Sequence, residues 1–347
     1  MANFYNGSKL LSLKDINKER PEIFISTSNR SAGKTTYFSK MLVNDFIKSG
    51  KKFILVYRFA YEVYDACEKF FSDIRNLFFP EYTMNQKMME KDVFAALFLA
   101  KGEEEAVNCG YVISLNKADN IKKCSHLLAD AGIMFFDEFQ SEAGQYASNE
   151  IQKFQSIHTS LARGQGEQVK YLPVIMVSNF VSLLNPYYTA LKISERLQEN
   201  TNYLRGDGWV LEQGFNDSAS KAQKASAFNR AFGESKYNKF SADRFYLNDN
   251  NTFIKKMNGR GSYIFSLHSS GAWYGVRFYS DQAILYVSKS ADLTSPKKYA
   301  ANPEDMTEET LLISATMKIR LRDMFDRGAF RFDNLESKAA AFSLLSY

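Results

Sequence analysis

The sequence has few of the residues that build disulfide frameworks, zinc sites or membrane spans. It contains three cysteines and three histidines in 347 residues. The cysteines are odd in number and scattered, which favours a reducing cytoplasm over a disulfide scaffold, and no histidine pairs with a cysteine at zinc-ligand spacing. No apolar run reaches the roughly 18 residues of a membrane span, and we expect no signal peptide. The net charge of +5 is too small to indicate nucleic-acid binding by itself.

Acidic residues are absent from one stretch of the C-terminal third. No Asp or Glu occurs between Asp249 and Asp281, although this stretch contains the alternating segments Ser262–His268 and Trp273–Tyr279, which we predict to be strands. A two-metal nuclease gathers several carboxylates around its metal ions. These two predicted strands therefore cannot supply a carboxylate ligand to such a site.

A phosphate-binding loop is the strongest motif in the chain. Residues 23–25 form a short apolar run typical of a buried strand, and residues 28–35 read S-N-R-S-A-G-K-T. Apolar residues at helical spacing follow as far as Gly50. Strand, loop and helix thus have the order of G-x-x-x-x-G-K-[ST], with Ser28 in place of the first glycine, at a position that favours positive φ. The alternative is a chance Gly-Lys-Thr ahead of an ordinary helix.

The loop chemistry indicates a nucleoside triphosphate. Backbone N–H groups at a helix N-terminus can wrap phosphates. Lys34 would contact the β and γ phosphates, and the Thr35 hydroxyl would hold Mg²⁺. The predicted nucleotide-binding residues form one continuous segment: Ser28, Asn29, Arg30, Ser31, Ala32, Gly33, Lys34, Thr35 and Thr36.

Two adjacent carboxylates end a second apolar run. Residues 132–140 read G-I-M-F-F-D-E-F-Q, so a buried strand would place Asp137 and Glu138 at its C-terminal end. In a phosphate-loop fold, Asp137 would orient Mg²⁺ and Glu138 would polarise the attacking water. The alternative is a structural strand that runs into an acidic loop.

Polar residues also follow a predicted helix and a predicted strand downstream. The helix covers 149–162 and is followed by Arg163, which is either a surface residue near the helix dipole or an arginine finger that reaches a neighbour's γ-phosphate. The apolar run that begins at Leu172 ends in Ser178 and Asn179, which could sense the γ-phosphate by hydrogen bonding.

Five segments carry a family resemblance: S-N-R-S-A-G-K-T-T (28–36), F-F-D-E-F (135–139), L-A-R-G-Q-G-E-Q-V (161–169), V-S-N-F-V-S-L-L-N-P-Y-Y (177–188) and R-G-A-F-R-F-D-N (327–334). They resemble the DNA-encapsidation ATPases of small podoviruses of the Picovirinae type, which are compact relatives of the large terminases and of the FtsK/HerA translocases. The resemblance spans most of the chain.

The resemblance implies an ATPase that uses ATP and Mg²⁺. Lys34 and Thr35 would bind nucleotide and metal, Asp137 would be the Mg²⁺ acid, and Glu138 the catalytic glutamate. Arg163 matches the intersubunit finger of the family.

The resemblance also implies partners and a location. Arg30 occupies the place of a loop arginine in terminases, and the role of Arg58, after the second predicted strand, stays open. The partners would be double-stranded DNA, further copies of the chain in a ring (a pentamer, from the family), and the portal of the prohead, with a structural RNA as an additional candidate. The protein would act in the host cytoplasm, transiently docked on the prohead.

The predicted fold class is α/β. It comprises a P-loop NTPase (RecA/ASCE-like) motor domain at 1–200, a linker with a helical lid at 201–235, and a smaller α+β domain at 236–347. In the last domain an antiparallel meander precedes two helices, one opened by Asp305 and running to about Asp326, the other over 334–345. It resembles the RNase H-like nuclease domain of terminases. The missing acidic residues indicate a nuclease relic.

Three interpretations are compatible with these motifs. The leading one is a ring ATPase that pumps double-stranded DNA into a viral prohead. The second is a cellular FtsK/HerA-like or helicase-type translocase, which would share the loop and the acids. The third is a nucleotide-binding scaffold without turnover, against which the adjacent Asp137 and Glu138 argue.

Overall fold

The computed structural model describes residues 5–163, 168–194, 196–197, 201–233, 235–243, 246–247, 249 and 252–345. The chain divides into two compact units, Met1–Asn248 and Asp249–Tyr347. No helix within the described residues is both long and apolar enough to cross a membrane.

The first unit is built on a nine-stranded sheet with the order β3-β4-β5-β2-β6-β7-β1-β9-β8. Its strands are β1 Ile23–Thr27, β2 Lys52–Tyr57, β3 Tyr82–Met89, β4 Phe94–Lys101, β5 Val107–Ser114, β6 Ala131–Asp137, β7 Val174–Ser178, β8 Tyr203–Gly206 and β9 Trp209–Gln213. The six central strands in this order are β5, β2, β6, β7, β1 and β9, and they pair in parallel. The remaining strands, β3, β4 and β8, are antiparallel to their neighbours. Because parallel strands all end at one edge, the loops after β1, β6 and β7 meet there.

Helices cover both faces of this sheet. They are α1 Ser8–Ser12, α2 Lys34–Ser49, α3 Ala66–Phe78, α4 Ala118–Lys123, α5 Glu150–Leu161, α6 Pro186–Ala190, α7 Asp217–Ala225, α8 Ala227–Ala231 and α9 Lys236–Ala242. Apolar residues of α2 and α3 pack into one core layer with the sheet, and those of α4 and α5 pack into the layer on the opposite face. The central strands are therefore buried on both sides, as their nearly continuous apolar sequences predict.

Residues 201–235 depart from the prediction. Their first half is not a linker, because β9 pairs in parallel with β1 and extends the main sheet. The first unit continues to Asn248, beyond the predicted boundary at 235/236. The helix predicted within 222–232 is present as α7 and α8, which are separated at Ser226. Ser226 also caps α8 by accepting from the Asn229 N–H.

The second unit contains a six-stranded sheet with the order β14-β13-β10-β11-β12-β15. Its elements are β10 Ser262–Ser269, β11 Ala272–Tyr279, β12 Ile284–Ser288, β13 Lys298–Ala300, β14 Leu311–Leu312, α10 Ala315–Asp326, β15 Phe330–Phe332 and α11 Leu335–Leu345. The first three strands are antiparallel, and β13 and β14 add in parallel beside β10. From β12 to β14, with β10 counted as strand 1, the order is 3-2-1-4-5, which is that of an RNase H-like sheet and agrees with the predicted fold class; β15 adds a sixth strand in parallel beside β12.

The penultimate helix begins later than predicted. Asp305 ends a short 3₁₀ turn, and α10 begins only after Ser314, whose side chain accepts from the Met317 N–H. The segment between them contributes β14 to the sheet instead. Ser314 is the stronger N-cap because its hydroxyl satisfies a free N–H of the first turn.

Candidate nucleotide-binding site

The loop between β1 and α2 surrounds the ammonium of Lys34. Lys34 is the first residue of α2 and is buried. Its Nζ donates to Ser28 Oγ at 2.7 Å and lies 3.4 Å from both the Ser28 carbonyl oxygen and Asn179 Oδ1. The sequence prediction that this segment forms a loop between a buried strand and a helix is confirmed.

The turn of the loop lies later than the motif predicted. The residues with positive φ are Ser31 (58°) and Gly33 (95°), and Ser28 is not among them. The Ser28 N–H instead bonds to the Ser178 carbonyl at 3.3 Å, so the chain continues beside β7 for one residue beyond β1. Serine at position 28 is therefore unstrained, and the cost of a left-handed residue, about 1 kcal/mol, falls on Ser31.

Residues after β9 hold the loop from outside. The Asn29 side-chain amide donates to the Asn216 carbonyl at 3.1 Å and accepts from the Asn216 N–H at 2.9 Å. Gln223 of α7 donates to Ser31 Oγ at 2.9 Å. The Arg30 side chain bonds to the Tyr237 hydroxyl of α9. The helices α7 and α9 thus form a lid whose position is linked to the loop conformation.

The predicted acids lie beside the loop. Thr35 and Asp137 line the same cavity, and the Thr35 side chain is near enough to stabilise the charged form of the Asp137 carboxyl and so lower its pKa, so the two predicted Mg²⁺ ligands lie together. Glu138 is exposed and has a φ of 54°, and its N–H donates to Asp137 Oδ1 at 2.9 Å. A left-handed glutamate stores backbone strain of about 1–3 kcal/mol, which is typical of functional positions.

Burial shifts the pKa of both charged groups at the loop. It raises the pKa of the Asp137 carboxyl to about 6, and the charge of Glu138 adds to this rise. It lowers the pKa of the Lys34 ammonium to about 8, against the opposing attraction of Asp137.

The sign of each shift fixes its effect on stability. The contribution of Asp137 is fully present below pH 3.8 and is lost as pH rises through about 6. The contribution of Lys34 is present above pH 10.5 and is lost as pH falls through about 8. Near pH 7 both groups are mostly charged and both destabilise the empty site. Ligands of opposite charge would relieve both costs.

Asn179 and Ser178, at the end of β7, differ in their surroundings. The Asn179 side chain contacts Lys34 and donates to Glu142 Oε1 at 3.4 Å, so it lies inside the site. The Ser178 hydroxyl donates instead to the Asn179 carbonyl at 2.9 Å. Ser178 therefore stabilises the strand end, and only Asn179 presents its side chain to the loop.

Arg58 is a residue whose place in the site could not be read from the sequence. Its buried guanidinium donates to the Glu150 carboxylate at 2.9 Å and to the Phe139 carbonyl at 2.6 Å, and it lies 3.5 Å from the Glu138 carbonyl. The Tyr187 hydroxyl and the Ala147 N–H also donate to Glu150. Arg58 thus fixes the backbone that carries Glu138. The available signal was a basic residue directly after a strand that neighbours β6.

Arg163 lies far from the other predicted site residues. It follows α5, which ends at the edge of the sheet where the parallel strands begin, opposite the phosphate loop. Two hydrogen bonds show this: the Lys170 N–H donates to the Ala162 carbonyl, and Lys170 Nζ donates to the carbonyl of Ala131, the first residue of β6. β6 spans roughly 20 Å between Ala131 and Asp137. Arg163 is exposed, and within the described residues it has no hydrogen bond or ion pair. Residues 164–167 of this segment lie outside the described residues.

The donor set at the loop fits Mg²⁺. A hydroxyl and a carboxylate at a sheet edge, completed by phosphate oxygens and water, are the hard oxygen ligands that Mg²⁺ prefers. A cavity of about 390 Å³ opens beside them and is lined by Thr35, Asp137 and Glu138 together with Arg58 and Tyr57.

This fold and site define a P-loop NTPase of the RecA-like class: a parallel sheet presents the phosphate loop after β1, the two acids after β6 and a polar side chain after β7. The chain belongs to the family of podovirus DNA encapsidation proteins (Gp16), whose family model matches residues 1–347. Relatives in this family include the DNA packaging proteins of Bacillus phages PZA and phi29. Each is 24% identical over 350 residues, which cover 98% of this chain and 96% of the relative.

Solved structures of packaging motors have the same fold. The phi29 viral genome packaging motor assembly contains a chain that superposes with a TM-score of 0.70 at 23% identity, over 98% of both chains. The Phi-28 gp11 DNA packaging motor gives a TM-score of 0.60 at 15% identity, over 100% of this chain and 99% of the other. At these identities the likeness establishes the fold.

Proposed function

We propose that this protein is an ATP-hydrolysing motor subunit that translocates double-stranded viral DNA into a preformed prohead. The observation that carries the proposal is that Lys34, Thr35, Asp137 and Glu138 lie near one another at one edge of the sheet, in a chain that matches a DNA encapsidation family along its whole length. The same full-length match favours packaging over a cellular FtsK/HerA-like or helicase-type translocase.

Each residue of the site would have a separate role in phosphoryl transfer. Loop N–H groups and the Lys34 ammonium would bind the β and γ phosphates, and Thr35 and Asp137 would hold Mg²⁺. The ion, when bound, would neutralise charge on the phosphate oxygens. The Glu138 carboxylate would orient the attacking water and accept its proton, at a backbone position that Arg58 fixes. Asn179 would sense the γ-phosphate, because its amide already contacts Lys34.

Arg163 and the partners complete the proposal. Arg163 would act in trans on the site of a neighbouring subunit in a ring, for which the family suggests a pentamer. The ring would engage DNA and dock on the portal of the prohead in the host cytoplasm, with a structural RNA as an additional candidate partner. Lid helices α7 and α9 contact the loop directly and could transmit the nucleotide state.

Lys34→Ala is expected to abolish ATP hydrolysis, because the phosphates lose the buried cation of the loop. The measurement is Mg²⁺-dependent phosphate release, with Lys48→Ala, an exposed lysine at the other end of α2, as the matched control. Near-normal turnover by Lys34→Ala would show that the loop does not bind the triphosphate. No turnover by the wild-type protein with DNA and prohead present would favour a scaffold.

We further propose that the second unit has no metal-dependent nuclease activity. Its strands β10 and β11 contain no Asp or Glu, and the described residues contain no group of three or more His, Cys, Asp or Glu that could hold a metal ion. Incubation with plasmid and Mn²⁺ is therefore expected to leave the DNA intact. Cleavage that disappears in Asp281→Ala or Asp333→Ala would overturn this expectation.

A further inference from the structure

A second cavity lies within the lid, between α7, α8 and α9. It has a volume of about 520 Å³, and three cations line it, Lys224, Arg230 and Lys239. One acid lines it as well, Asp243, whose carboxylate is 2.7 Å from Lys224 Nζ. The described lining of this lid cavity therefore has an excess of positive charge.

Two exposed phenylalanines of α8 adjoin the lid cavity. Phe228 is 72% exposed and Phe232 is 61% exposed, and their ring centroids are 4.9 Å apart. Between them in the chain lie Asn229 and Arg230, which line the cavity. Large apolar side chains that are exposed together mark a binding surface, and aromatic residues and arginine are enriched at protein–protein interfaces. The lid thus presents apolar area and positive charge side by side.

Hydrogen bonds connect the lid cavity to the phosphate loop. The Asn229 side-chain amide donates to the Gln223 main-chain carbonyl at 2.7 Å and to Gln223 Oε1 at 2.9 Å. The Gln223 side-chain amide donates in turn to Ser31 Oγ at 2.9 Å, and Ser31 is the non-glycine residue of the loop with positive φ. A group bound in the cavity would therefore act on the conformation of the loop.

An acidic turn lies between β4 and β5, near the opposite end of the sheet. Its residues 103–105 are three exposed glutamates, and among the residues that the structure describes none of these carboxylates has an ion pair. Val107, which begins β5, is 57% exposed. The Gly102 N–H bonds to the Glu81 carbonyl, which joins the turn to the segment after α3, and Leu77 near the end of α3 is 68% exposed. The acidic turn thus also combines charge with exposed apolar side chains.

The acidic turn and the lid cavity cannot meet within one chain. The turn lies at the edge where the parallel strands begin, because it precedes β5, which is parallel to β2. The lid contacts the phosphate loop, at the edge where those strands end. Six strand spacings also separate β4 from β9, roughly 29 Å at about 4.8 Å each. A contact between the two surfaces therefore requires a second copy of the chain.

We propose that the lid cavity and its two exposed phenylalanines bind the acidic turn of a second copy of this chain, together with the exposed Val107 and Leu77 near that turn. The cations of the cavity would face the three glutamates, and apolar side chains would face apolar side chains. A contact between different surfaces of identical chains is heterologous, and it repeats from copy to copy until a ring closes. The proposal rests on the proposed function, which assumes a ring.

This contact is compatible with a finger that acts in trans. Arg163 lies at the same edge of the sheet as the acidic turn, where the parallel strands begin. Both would then face the edge of the neighbouring copy that carries the phosphate loop and the lid. The bonds from Asn229 through Gln223 to Ser31 would make the conformation of that loop depend on the docked neighbour.

Duplex DNA is the other polyanion that a basic lid could bind. A surface that neutralises several phosphates needs several cations along the backbone. The lid cavity is concave instead, contains the carboxylate of Asp243 and adjoins two exposed phenylalanines. These observations favour a protein partner, and DNA is one outcome of the test.

A charge exchange tests the contact. Arg230→Glu would place a carboxylate opposite three glutamates, so it is expected to weaken self-association of the full-length protein by about tenfold or more. Glu104→Arg is expected to weaken it as well, and the double variant is expected to recover most of the loss. Sedimentation equilibrium in Mg²⁺ and the β,γ-imido analogue of ATP measures all three. Lys221→Glu is the matched control, because Lys221 is an exposed lysine of α7 that does not line the cavity.

A cross-link tests the orientation of the contact with milder substitutions. Subunits with Glu104→Cys are mixed with subunits carrying Arg230→Cys and then oxidised. Covalent dimers are expected in the mixture and not in either variant alone, where Cys67 gives the background because the other two cysteines are buried. A variant with both substitutions is expected to give a ladder of multimers that stops at the size of the ring.

The outcomes separate this contact from the proposed function. Protein that self-associates but gives no cross-link above background, or a double variant that recovers nothing, overturns the contact. If Arg230→Glu associates normally but binds duplex DNA more weakly than Lys221→Glu does, the cavity binds DNA and the proposal is likewise overturned. If the wild-type protein forms no ring even with DNA and proheads present, the proposed function fails as well.

Discussion

Arg163→Ala is expected to bind ATP normally and to hydrolyse it about 10³-fold more slowly than the wild-type protein, or slower still. An arginine finger neutralises charge that develops on the transferred phosphoryl group, so its loss affects turnover and not ground-state binding. Arg163 lies at the edge of the sheet where strands begin, roughly 20 Å along β6 from Asp137. This distance is longer than an arginine side chain, so within one subunit Arg163 cannot reach the loop.

If Arg163 acts on the site of a neighbouring subunit, a mixture of two inactive variants should recover ATP hydrolysis. Arg163→Ala and Glu138→Gln subunits are each nearly inactive alone. A ring interface that pairs an intact Glu138 from one subunit with an intact Arg163 from the next would restore hydrolysis in a mixture. Hydrolysis per subunit in mixtures at assembling concentrations is therefore expected to exceed the sum of the separate activities.

Two variants serve as controls for Arg163. Arg20→Ala removes another exposed arginine, which precedes β1 at the same edge of the sheet and stacks on Tyr171, and it is expected to keep its turnover. Arg163→Lys keeps the charge but not the planar fork, so partial activity is expected. If mixtures recover nothing above the sum, Arg163 is a helix-end residue and the finger must be sought at Arg30.

Glu138→Gln is expected to bind ATP and to turn it over at least about 10²-fold more slowly, as is typical for the loss of a general base. The side chain is exposed at the end of β6, and its backbone is fixed by the Asp137 carboxylate on one side and by Arg58 on the other. Single-turnover hydrolysis together with nucleotide affinity separates the two effects.

Glu142→Gln is the comparison for this experiment, because Glu142 is a further carboxylate near the loop and contacts Arg30 of the loop itself. Its oxygens already contact Arg30 at 3.5 Å and Asn179 at 3.4 Å, so it is less free to accept a proton from water. We expect it to slow turnover less than Glu138→Gln does. The reverse order would make Glu142 the base, and a Glu138→Gln variant that fails to bind ATP would make Glu138 structural.

The parts of the site that could be predicted from sequence are those formed by contiguous residues. The loop, with its Lys34 and Thr35, and the acids Asp137 and Glu138 each follow an apolar run that is long enough to identify a buried strand. Their contact in space then follows from the parallel sheet, because all such strands end at one edge. The agreement between local pattern and global fold is greatest there.

The missed features depend on partners distant in the chain. β9 belongs to the sheet because it pairs with β1, and this pairing is not apparent from its own residues. The buried role of Arg58 requires Glu150, nearly a hundred residues later, and a charged pair of this kind has no local signature. The turn at Ser31 instead of Ser28 results from the bond between Ser28 and Ser178. The hydrogen bond between Tyr5 and Glu212 joins residues far apart in the chain and likewise could not be predicted from the sequence.

The most direct test of the central claim is DNA packaging itself, measured as DNA protected from nuclease after the protein is mixed with proheads and DNA of the same virus. The account predicts genome-length protected DNA with wild-type protein, Mg²⁺ and ATP. Lys48→Ala should package as well, whereas Lys34→Ala should protect none, and wild-type protein with the β,γ-imido analogue of ATP should protect none either. Protection by Lys34→Ala that equals the wild type, or protection that needs no hydrolysable nucleotide, would contradict the account.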